Sequence, residues 1–381
     1  MQPMTEIHYF DNAATTPMSR RAIQKYTETA SSYIGNPSAL HQEGIKAKAL
    51  LEELRDTLAR QLNVQPSSLY FTGGGTESNA IILNHLLWKP QRAEIILTNI
   101  EHPSIKEVGT FFRQLGWKVI YLDAPRGFVS PLDLEKALTD KTRLVCCMMV
   151  NNVTGSIQPI AELVEVVRKK EKSTGRKIHF HTDAVQALGK IPFSLTALGV
   201  DSASFSAHKV NGPRGVGLLY NTNVSVTALN RAGEQEQGLR GGTENLSGIA
   251  SMVTAIEDTY ENIDANYNQV MRINTFLREE LSFLPILSPS ELYSPYILTV
   301  SVKPWPSEVF TRMLYTKGFC VSSGSACSNN TKQKSQGVLL SMNVHPLDAK
   351  SSLRLSFSGD TTIEEAGLLA SAIHSTFKEL T

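Results

Sequence analysis

A lysine beside hydroxyl and imidazole groups is the first feature of the sequence that could do chemistry. Lys209 ends the segment SFSAHK at 204–209, and a glycine-rich stretch follows at 211–217. An amine on a short segment after an apolar strand can attack an aldehyde and form a Schiff base. Most lysines, however, are solvated surface residues. The segment alone therefore leaves Lys209 as either a nucleophile or an ordinary loop residue.

A glycine-rich turn separates a strand pattern from a helix pattern, with the sequence FTGGGTES at 71–78. Glycines let a backbone approach an anion closely, and the N-terminus of a helix offers free N–H groups. One interpretation is a phosphate site, and the other is an ordinary turn capped by Thr76. No Lys-Ser/Thr pair follows the glycines, and Ser78 stands where a dinucleotide fingerprint has Gly or Ala. The usual nucleotide-binding loops are therefore not indicated.

A polar strand end, HFHTDAVQ, lies at 179–186. His179, His181 and Asp183 share one face of the strand, since side chains alternate. A two-histidine, one-carboxylate metal site and a turn capped by Asp183 are both possible interpretations. A phosphate turn, a carboxylate at a neighbouring strand end and Lys209 together are what pyridoxal phosphate needs for its phosphate, pyridinium nitrogen and aldehyde. The combination favours that cofactor and no metal.

The elements that must position these groups alternate between short apolar strands and amphipathic helices. Predicted strands lie at 68–72, 94–99, 118–122, 143–150, 177–182, 201–204 and 215–220, and helices at 42–62, 78–88, 104–115 and 160–172. Such alternation is typical of βαβ units. We therefore expect an α/β fold, with a three-layer αβα large domain and a mostly parallel sheet. The apolar run 144–150 suits a central strand buried on both faces, with Cys146 and Cys147 as core residues.

The pattern changes in the last third of the chain. A long helical stretch covers 243–284, five prolines follow, and strands are predicted at 296–302 and 352–356 before a final helix from 362. This predicts a smaller α+β domain. We place the large cofactor-binding domain at 14–262. The small domain comprises 1–13 and 263–381 and carries a loop at about 321–337.

Composition limits the class of protein. The chain has 381 residues, 37 Lys and Arg against 36 Asp and Glu, a net charge of +1 and four cysteines. Such a balance argues against direct nucleic-acid binding, and four cysteines are too few for a disulfide framework. No apolar run reaches the length of a membrane span, and no secretory leader is evident. We expect a cytoplasmic protein that does not bind membranes.

The sequence resembles the cysteine desulfurases of the class-V aminotransferase superfamily, which are fold-type I PLP-dependent transferases. Ten motifs in order carry the resemblance over nearly the whole chain: YFDNAATTP (9–17), GNPSALHQEG (35–44), FTGGGTESN (71–79), EH (101–102), NNVTGSIQP (151–159), HTDAVQ (181–186), SFSAHKVNGPRGVG (204–217), RGGTEN (240–245), SSGSACS (322–328) and LRLSF (353–357). The SSGSAC motif is similar to that of the group with the longer cysteine loop.

The resemblance implies a role for each matching residue. Catalytic residues would be Lys209, which binds the cofactor as a Schiff base, Cys327, the nucleophile, and His102, which stacks on the ring and moves protons. Asp183 would pair with the pyridine nitrogen and Gln186 with the phenolic oxygen. The remaining cofactor contacts would be Gly75, Thr76, Asn152, Ser206, His208 and, from the other subunit of a dimer, Thr243. Asn152 and Arg354 would bind the substrate carboxylate.

The implied activity is removal of sulfur from L-cysteine, giving L-alanine and a persulfide on Cys327. The resemblance also implies a homodimer and a protein that accepts the sulfur, in iron–sulfur cluster assembly or in thiolation of tRNA or a cofactor. A selenocysteine lyase, or another class-V pyridoxal phosphate lyase or aminotransferase, is the alternative.

Overall fold

The computed structural model describes residues 7–89, 91–223, 225–229, 232–323 and 334–380. Its strands, in chain order β1–β12, are His8–Tyr9, Leu69–Thr72, Glu94–Thr98, Lys118–Leu122, Thr142–Cys146, His179–Asp183, Ser202–Ser206, Gly217–Asn221, Ile297–Ser301, Phe319–Cys320, Ser322–Ser323 and Ser352–Ser356. Its helices, in chain order α1–α13, are Arg20–Ser32, Gln42–Leu62, Gly75–Asn84, Pro103–Gln114, Pro131–Ala137, Ile160–Thr174, Leu195–Leu198, Leu246–Glu261, Ile263–Glu280, Ser307–Thr316, Lys334–Ser341, Pro346–Lys350 and Ile363–Leu380.

A seven-stranded sheet, in the order β2-β8-β7-β6-β5-β3-β4, forms the centre of the larger part of the chain. Strands β4, β3, β5, β6 and β7 pair in parallel, while β8 is antiparallel to both its neighbours. Separate clusters of buried apolar side chains involve residues from its strands and flanking helices. The predicted αβα architecture with a mostly parallel sheet is therefore confirmed.

The central apolar run is buried as expected, but its regular strand is shorter than predicted. Strand β5 ends at Cys146, and Val150 forms only an isolated bridge with Ile157. Beyond Cys146, the Cys147 and Met149 N–H groups still donate to carbonyl oxygens of β6, whereas the Met148 N–H donates to the Glu101 side chain at 2.8 Å. Cys146 and Cys147 are both buried, and burial raises the pKa of each thiol well above its ordinary value.

The helical stretch predicted as continuous is two helices, α8 and α9, which meet at Asn262. Helix α9 contributes to a second core, together with Phe10 near the start of the chain and the antiparallel sheet β11-β12-β9. A short parallel pair, β1 and β10, ties the N-terminal segment to this part. The exact domain limits stay a prediction. Among the described residues, we find no helix with the length and apolar character needed to cross a bilayer.

Candidate active site

A cavity of about 380 Å³ opens at the carboxyl ends of the parallel strands. Ligands of open α/β sheets bind at this edge. Ten residues singled out from the sequence line the cavity: Gly75, Thr76, His102, Asn152, Asp183, Gln186, Ser206, His208, Lys209 and Arg354. The fold therefore brings together, in one place, residues that are up to 279 positions apart in the chain, from Gly75 to Arg354.

Two predicted site residues are not among those that line this cavity. Thr243 is exposed, and its Oγ1 accepts a long hydrogen bond from Asn36 Nδ2 at 3.5 Å. Cys327 lies outside the described residues, in the stretch 324–333. Ser323, the last described residue before that stretch, lines the cavity.

The N-terminus of α3 forms one wall of the cavity. Gly75 begins this helix, and a Cβ at Gly75 would come within 2.6 Å of the Val185 side chain. The backbone can therefore lie close to its neighbours only because residue 75 is glycine. Ser206 and His208 face the same cavity, and burial together with the positive charge of Lys209 lowers the pKa of His208 to about 4. Free N–H groups, hydroxyls and a neutral imidazole are suitable groups for a phosphate.

Lys209 lies in a short 3₁₀ turn directly after β7. Its Nζ donates to the carbonyl oxygens of Ala13 and Ala14 at 2.7 and 2.6 Å. Gln186 Nε2 donates to the same Ala13 oxygen at 2.9 Å, and Gln186 Oε1 accepts from Lys190 Nζ at 2.8 Å. Lys190 is buried, and the loss of hydration, with Lys209 nearby, lowers its pKa to about 7. An amine and an amide are thus held side by side at the cavity.

Asp183 ends β6, and both of its carboxylate oxygens accept hydrogen bonds. Oδ1 accepts from the Val185 N–H at 3.1 Å, and Oδ2 accepts from Asn79 Nδ2 at 2.9 Å. His102 caps the N-terminus of α4, where its Nδ1 accepts from the Ser104 N–H at 3.2 Å. Burial lowers the pKa of His102, and the negative charge of Asp183 opposes this shift only in part. At neutral pH the imidazole is therefore available as a neutral group.

Glu101 lies beside His102 and is buried at the same edge of the sheet. Its Oε1 accepts from Thr98 Oγ1 at 2.7 Å and from the Met148 N–H at 2.8 Å, while Oε2 has no hydrogen-bond partner among the described residues. Burial raises the pKa of this carboxyl to about 8. Glu101 is therefore largely protonated at neutral pH and joins β3 to the end of β5.

Arg354 enters the cavity from β12, on the side of the second core. It donates to the Asn152 carbonyl at 2.9 Å, to Asp11 Oδ1 at 2.9 Å and to Ser322 Oγ at 3.2 Å. The buried Nε has no protein partner among the described residues. A planar guanidinium held by its other nitrogens can still present an N–H group to a carboxylate.

Sequence reasoning assigned no role to several residues of the site. Asn79, Glu101 and Lys190 all contact groups that line the cavity, although only the first two lie in motifs noted from the sequence. Helical spacing could have found Asn79, which lies four residues after Gly75 and hence on the same helix face. No comparable local signal marks Asp11, because its partner Arg354 is 343 residues away.

Comparison with known proteins agrees with this geometry. The sequence model of the aminotransferase class-V family matches residues 8–369, and the chain belongs to that family. It is 38% identical to a NifS/IcsS protein homolog of Lactobacillus delbrueckii subsp. bulgaricus, over 94% of each chain. It is 35% identical to the cysteine desulfurase IscS of Dictyoglomus turgidum, over 94% of this chain and 91% of that protein. A solved NifS-like protein superposes with a TM-score of 0.90 at 34% identity, covering 98% of this chain and 99% of the other.

Proposed function

We propose that the protein is a pyridoxal phosphate-dependent cysteine desulfurase, which converts L-cysteine to L-alanine and transfers the sulfur to an acceptor. The observation that carries the proposal is that one cavity is lined by Lys209, Asp183 and the N-terminus of α3. Similarity to a cysteine desulfurase over 94% of the chain supports the same activity.

The described residues fit the cofactor. A glycine-bounded helix N-terminus with Thr76, Ser206 and His208 would hold the phosphate, and Thr243 of a second subunit would complete that site. Asp183 would bind the pyridine nitrogen, Gln186 the phenolic oxygen and Lys209 the aldehyde carbon. Bound there, pyridoxal phosphate would supply an electron sink for a carbanion at the substrate Cα.

The chain's own residues would move the protons. Arg354 and Asn152 would bind the carboxylate of cysteine and so orient its Cα–H bond. The Lys209 amine, when it is not bound to the cofactor, would remove the Cα proton. His102 would carry protons to and from the reacting groups, because a neutral imidazole can both donate and accept.

Sulfur transfer would require a nucleophile, and we propose Cys327 on the basis of the sequence. Its thiolate would attack the substrate sulfur, forming an S–S bond while the C–S bond breaks and its electron pair goes to Cβ. Protonation of that carbon yields alanine, so that the two sulfurs are oxidised and Cβ is reduced without an external reagent. Cys327 must begin as a free thiol, and a reducing compartment such as the cytoplasm suits this step.

The persulfide on Cys327 would then pass to an acceptor protein, in iron–sulfur cluster assembly or in thiolation of tRNA or a cofactor. We also propose a homodimer. The position of Thr243 supports the homodimer, because this residue is exposed and does not line the cavity of its own chain. The phosphate contact proposed for Thr243 would therefore be made to the cavity of a second subunit.

The proposed activity is tested with purified protein loaded with pyridoxal phosphate. L-Cysteine and a thiol reductant should yield equal amounts of alanine and sulfide. Production of pyruvate and ammonia instead would indicate a β-eliminating relative. Turnover of selenocysteine without turnover of cysteine would indicate a selenocysteine lyase.

A further inference from the structure

Two histidines on the strand that ends at Asp183 have no part in the proposed chemistry. His179 begins β6 and His181 lies at its middle, on the same face as Asp183. His181 is fully buried, with Nδ1 2.7 Å from Ser202 Oγ and Nε2 2.9 Å from Asn79 Oδ1. The partners of these rings define where each proton lies.

Asn79 determines the direction of the hydrogen bonds. Its Nδ2 lies 2.9 Å from Asp183 Oδ2 and 2.8 Å from Ser104 Oγ. A carboxylate only accepts, so the amide NH₂ must face Asp183 and the amide oxygen must face His181. Because that oxygen also only accepts, His181 carries a proton on Nε2, where Ser204 Oγ is a second, longer neighbour at 3.4 Å.

The same reasoning continues to the opposite end of the strand. Ser202 donates to Nδ1 of neutral His181, and the Ser202 oxygen accepts from His179 Nε2 at 2.7 Å. His179 Nδ1 then accepts from Asn223 Nδ2 at 3.2 Å. Burial lowers the pKa of His179 to about 4 and that of His181 to about 3, so both rings are neutral at neutral pH. Each residue of this series therefore donates to the next, in the order Asn223, His179, Ser202, His181, Asn79 and Asp183.

A second branch leads from Asn79 to His102. Ser104 Oγ accepts from Asn79 and is 2.8 Å from His102 Nδ1, to which it can donate its own proton. The Ser104 N–H donates to the same nitrogen. Nδ1 of neutral His102 is thus an acceptor from two donors, and the ring proton must be on Nε2.

We propose that Asn79 is a positioning residue that acts through both Asp183 and His102. The Asn79 amide orients the Asp183 carboxylate towards the cavity. Through Ser104, the same amide keeps the ring proton of His102 on Nε2, so that Nε2 is the nitrogen that exchanges protons. The two histidines of β6 hold the amide in the required orientation from the other side. The proposal rests on the proposed function for the ligand that Asp183 meets and for the exchange of protons at His102.

The test is the position of the ring protons, measured by ¹H–¹⁵N NMR on the full chain labelled with ¹⁵N-histidine. Spectra are recorded with and without pyridoxal phosphate, and signals are assigned with single histidine variants. We expect His102, His179 and His181 to show the Nε2–H form. An Nδ1–H form of His102 or His181 in the wild-type protein would overturn the proposal. Protein with the expected forms but no turnover of cysteine would refute the proposed function and leave this proposal intact.

Three variants separate the two branches. Asn79→Asp replaces the amide by a group of the same shape that cannot donate, and should change the signals of both His102 and His181. Ser104→Ala should change His102 alone. Ser202→Ala should change His181 and leave His102 as in the wild type.

The control is Asn84→Asp, which makes the same substitution at the last residue of α3 and should leave all these signals unchanged. If Asn79→Asp leaves both His102 and His181 unchanged, Asn79 does not set the proton positions. If Asn79→Asp does not fold, the two serine variants test the proposal instead. An unchanged His102 signal in Ser104→Ala would then contradict the branch from Asn79 to His102.

Discussion

Lys209 and Gln186 donate to one shared acceptor, the carbonyl oxygen of Ala13, at 2.7 and 2.9 Å. Ala13 lies just after Phe10, which packs in the second core, whereas Lys209 and Gln186 follow strands of the large sheet. The proposed cofactor amine is therefore held by a segment from near the start of the chain. A ligand that binds the Lys209 amine must replace these hydrogen bonds.

Replacement of Lys209 by alanine should abolish covalent binding of pyridoxal phosphate, because among the described residues Lys209 is the amine that donates to the Ala13 carbonyl. The measurement is the visible absorbance that remains after gel filtration, together with mass spectrometry after borohydride reduction. Lys177→Ala, on an exposed segment, is the control and should keep both signals. An unchanged spectrum of Lys209→Ala would exclude Lys209 as the Schiff-base residue.

Arg354→Lys should raise KM for L-cysteine more than it lowers kcat, because lysine cannot bind a carboxylate with a planar fork. A hydrogen bond to a charged group is worth about 1.5–3 kcal/mol, which corresponds to a rise of roughly tenfold to a hundredfold. Steady-state kinetics measure the effect. Since Arg354 also pairs with Asp11, the melting temperature must be compared, with Arg312→Lys on the exposed side of α10 as control. An unaltered KM would refute the assignment.

Cys327→Ser should retain bound cofactor but lose sulfide release, because a hydroxyl cannot accept the sulfur as a persulfide. The matched control is Cys320→Ser in β10, where burial and the nearby Asp11 raise the pKa of the thiol and make it a poor nucleophile. Sulfide and alanine are measured in the presence of a reductant. Normal release by Cys327→Ser, or loss of release only in Cys320→Ser, would contradict the proposed nucleophile.

Glu101→Gln should have nearly wild-type stability near pH 4.5 and be more stable than the wild type at pH 7, because folding of the wild type must then protonate a carboxyl whose pKa is about 8 only in the folded state. The folded state retains a proton that the unfolded chain releases above its ordinary pKa near 4.5. The contribution of Glu101 to the free energy of unfolding should therefore fall as pH rises from about 5 to 8, so that the slope of this free energy against pH is more positive in Glu101→Gln than in the wild type. Denaturant titrations at several pH values measure both slopes. Glu101→Ala is the contrasting variant and should lose about 1–3 kcal/mol, because Met148 and Thr98 then lack an acceptor. Equal slopes would show that Glu101 is ionised.

The two histidines of β6, His181 buried and His179 half-buried, should destabilise the folded state in mild acid. Their pKa values of about 4 and 3 lie below the ordinary value of 6.5, so between pH 6.5 and 4 the unfolded chain binds protons that the folded state does not. Lowering the pH from 7 to 5 should cost about 2 kcal/mol for each histidine. His179→Gln should reduce this loss in denaturant unfolding, whereas the control Lys170→Gln should not. A loss of the same size in His179→Gln would show that other groups are responsible.

Much of the fold could be predicted because it depends on local patterns. The limits of α2 and of strands β4 and β12 agree with the sequence periodicity, since the alternation of apolar residues is determined by which face is buried. The extra length predicted for β5 was wrong: the regular strand ends at Cys146, and the Met148 N–H beyond it bonds to the side chain of Glu101. The single long helix was wrong because α8 and α9 end and begin at Asn262, which no proline or glycine marks.

The sequence by itself predicted which groups take part in the proposed chemistry, because a lysine after a strand, a glycine turn before a helix and an aspartate at a strand end are local signals. Only the tertiary structure decided how they are held. Pairing of β6 with β7 brings Ser202 between His179 and His181, and the packing of α3 above them brings Asn79 to Asp183. These partners are 21 to 104 residues apart. Burial keeps the two histidines neutral and thereby fixes which atom donates in each hydrogen bond. Because this burial arises only when distant elements pack, no local pattern in the sequence indicates it.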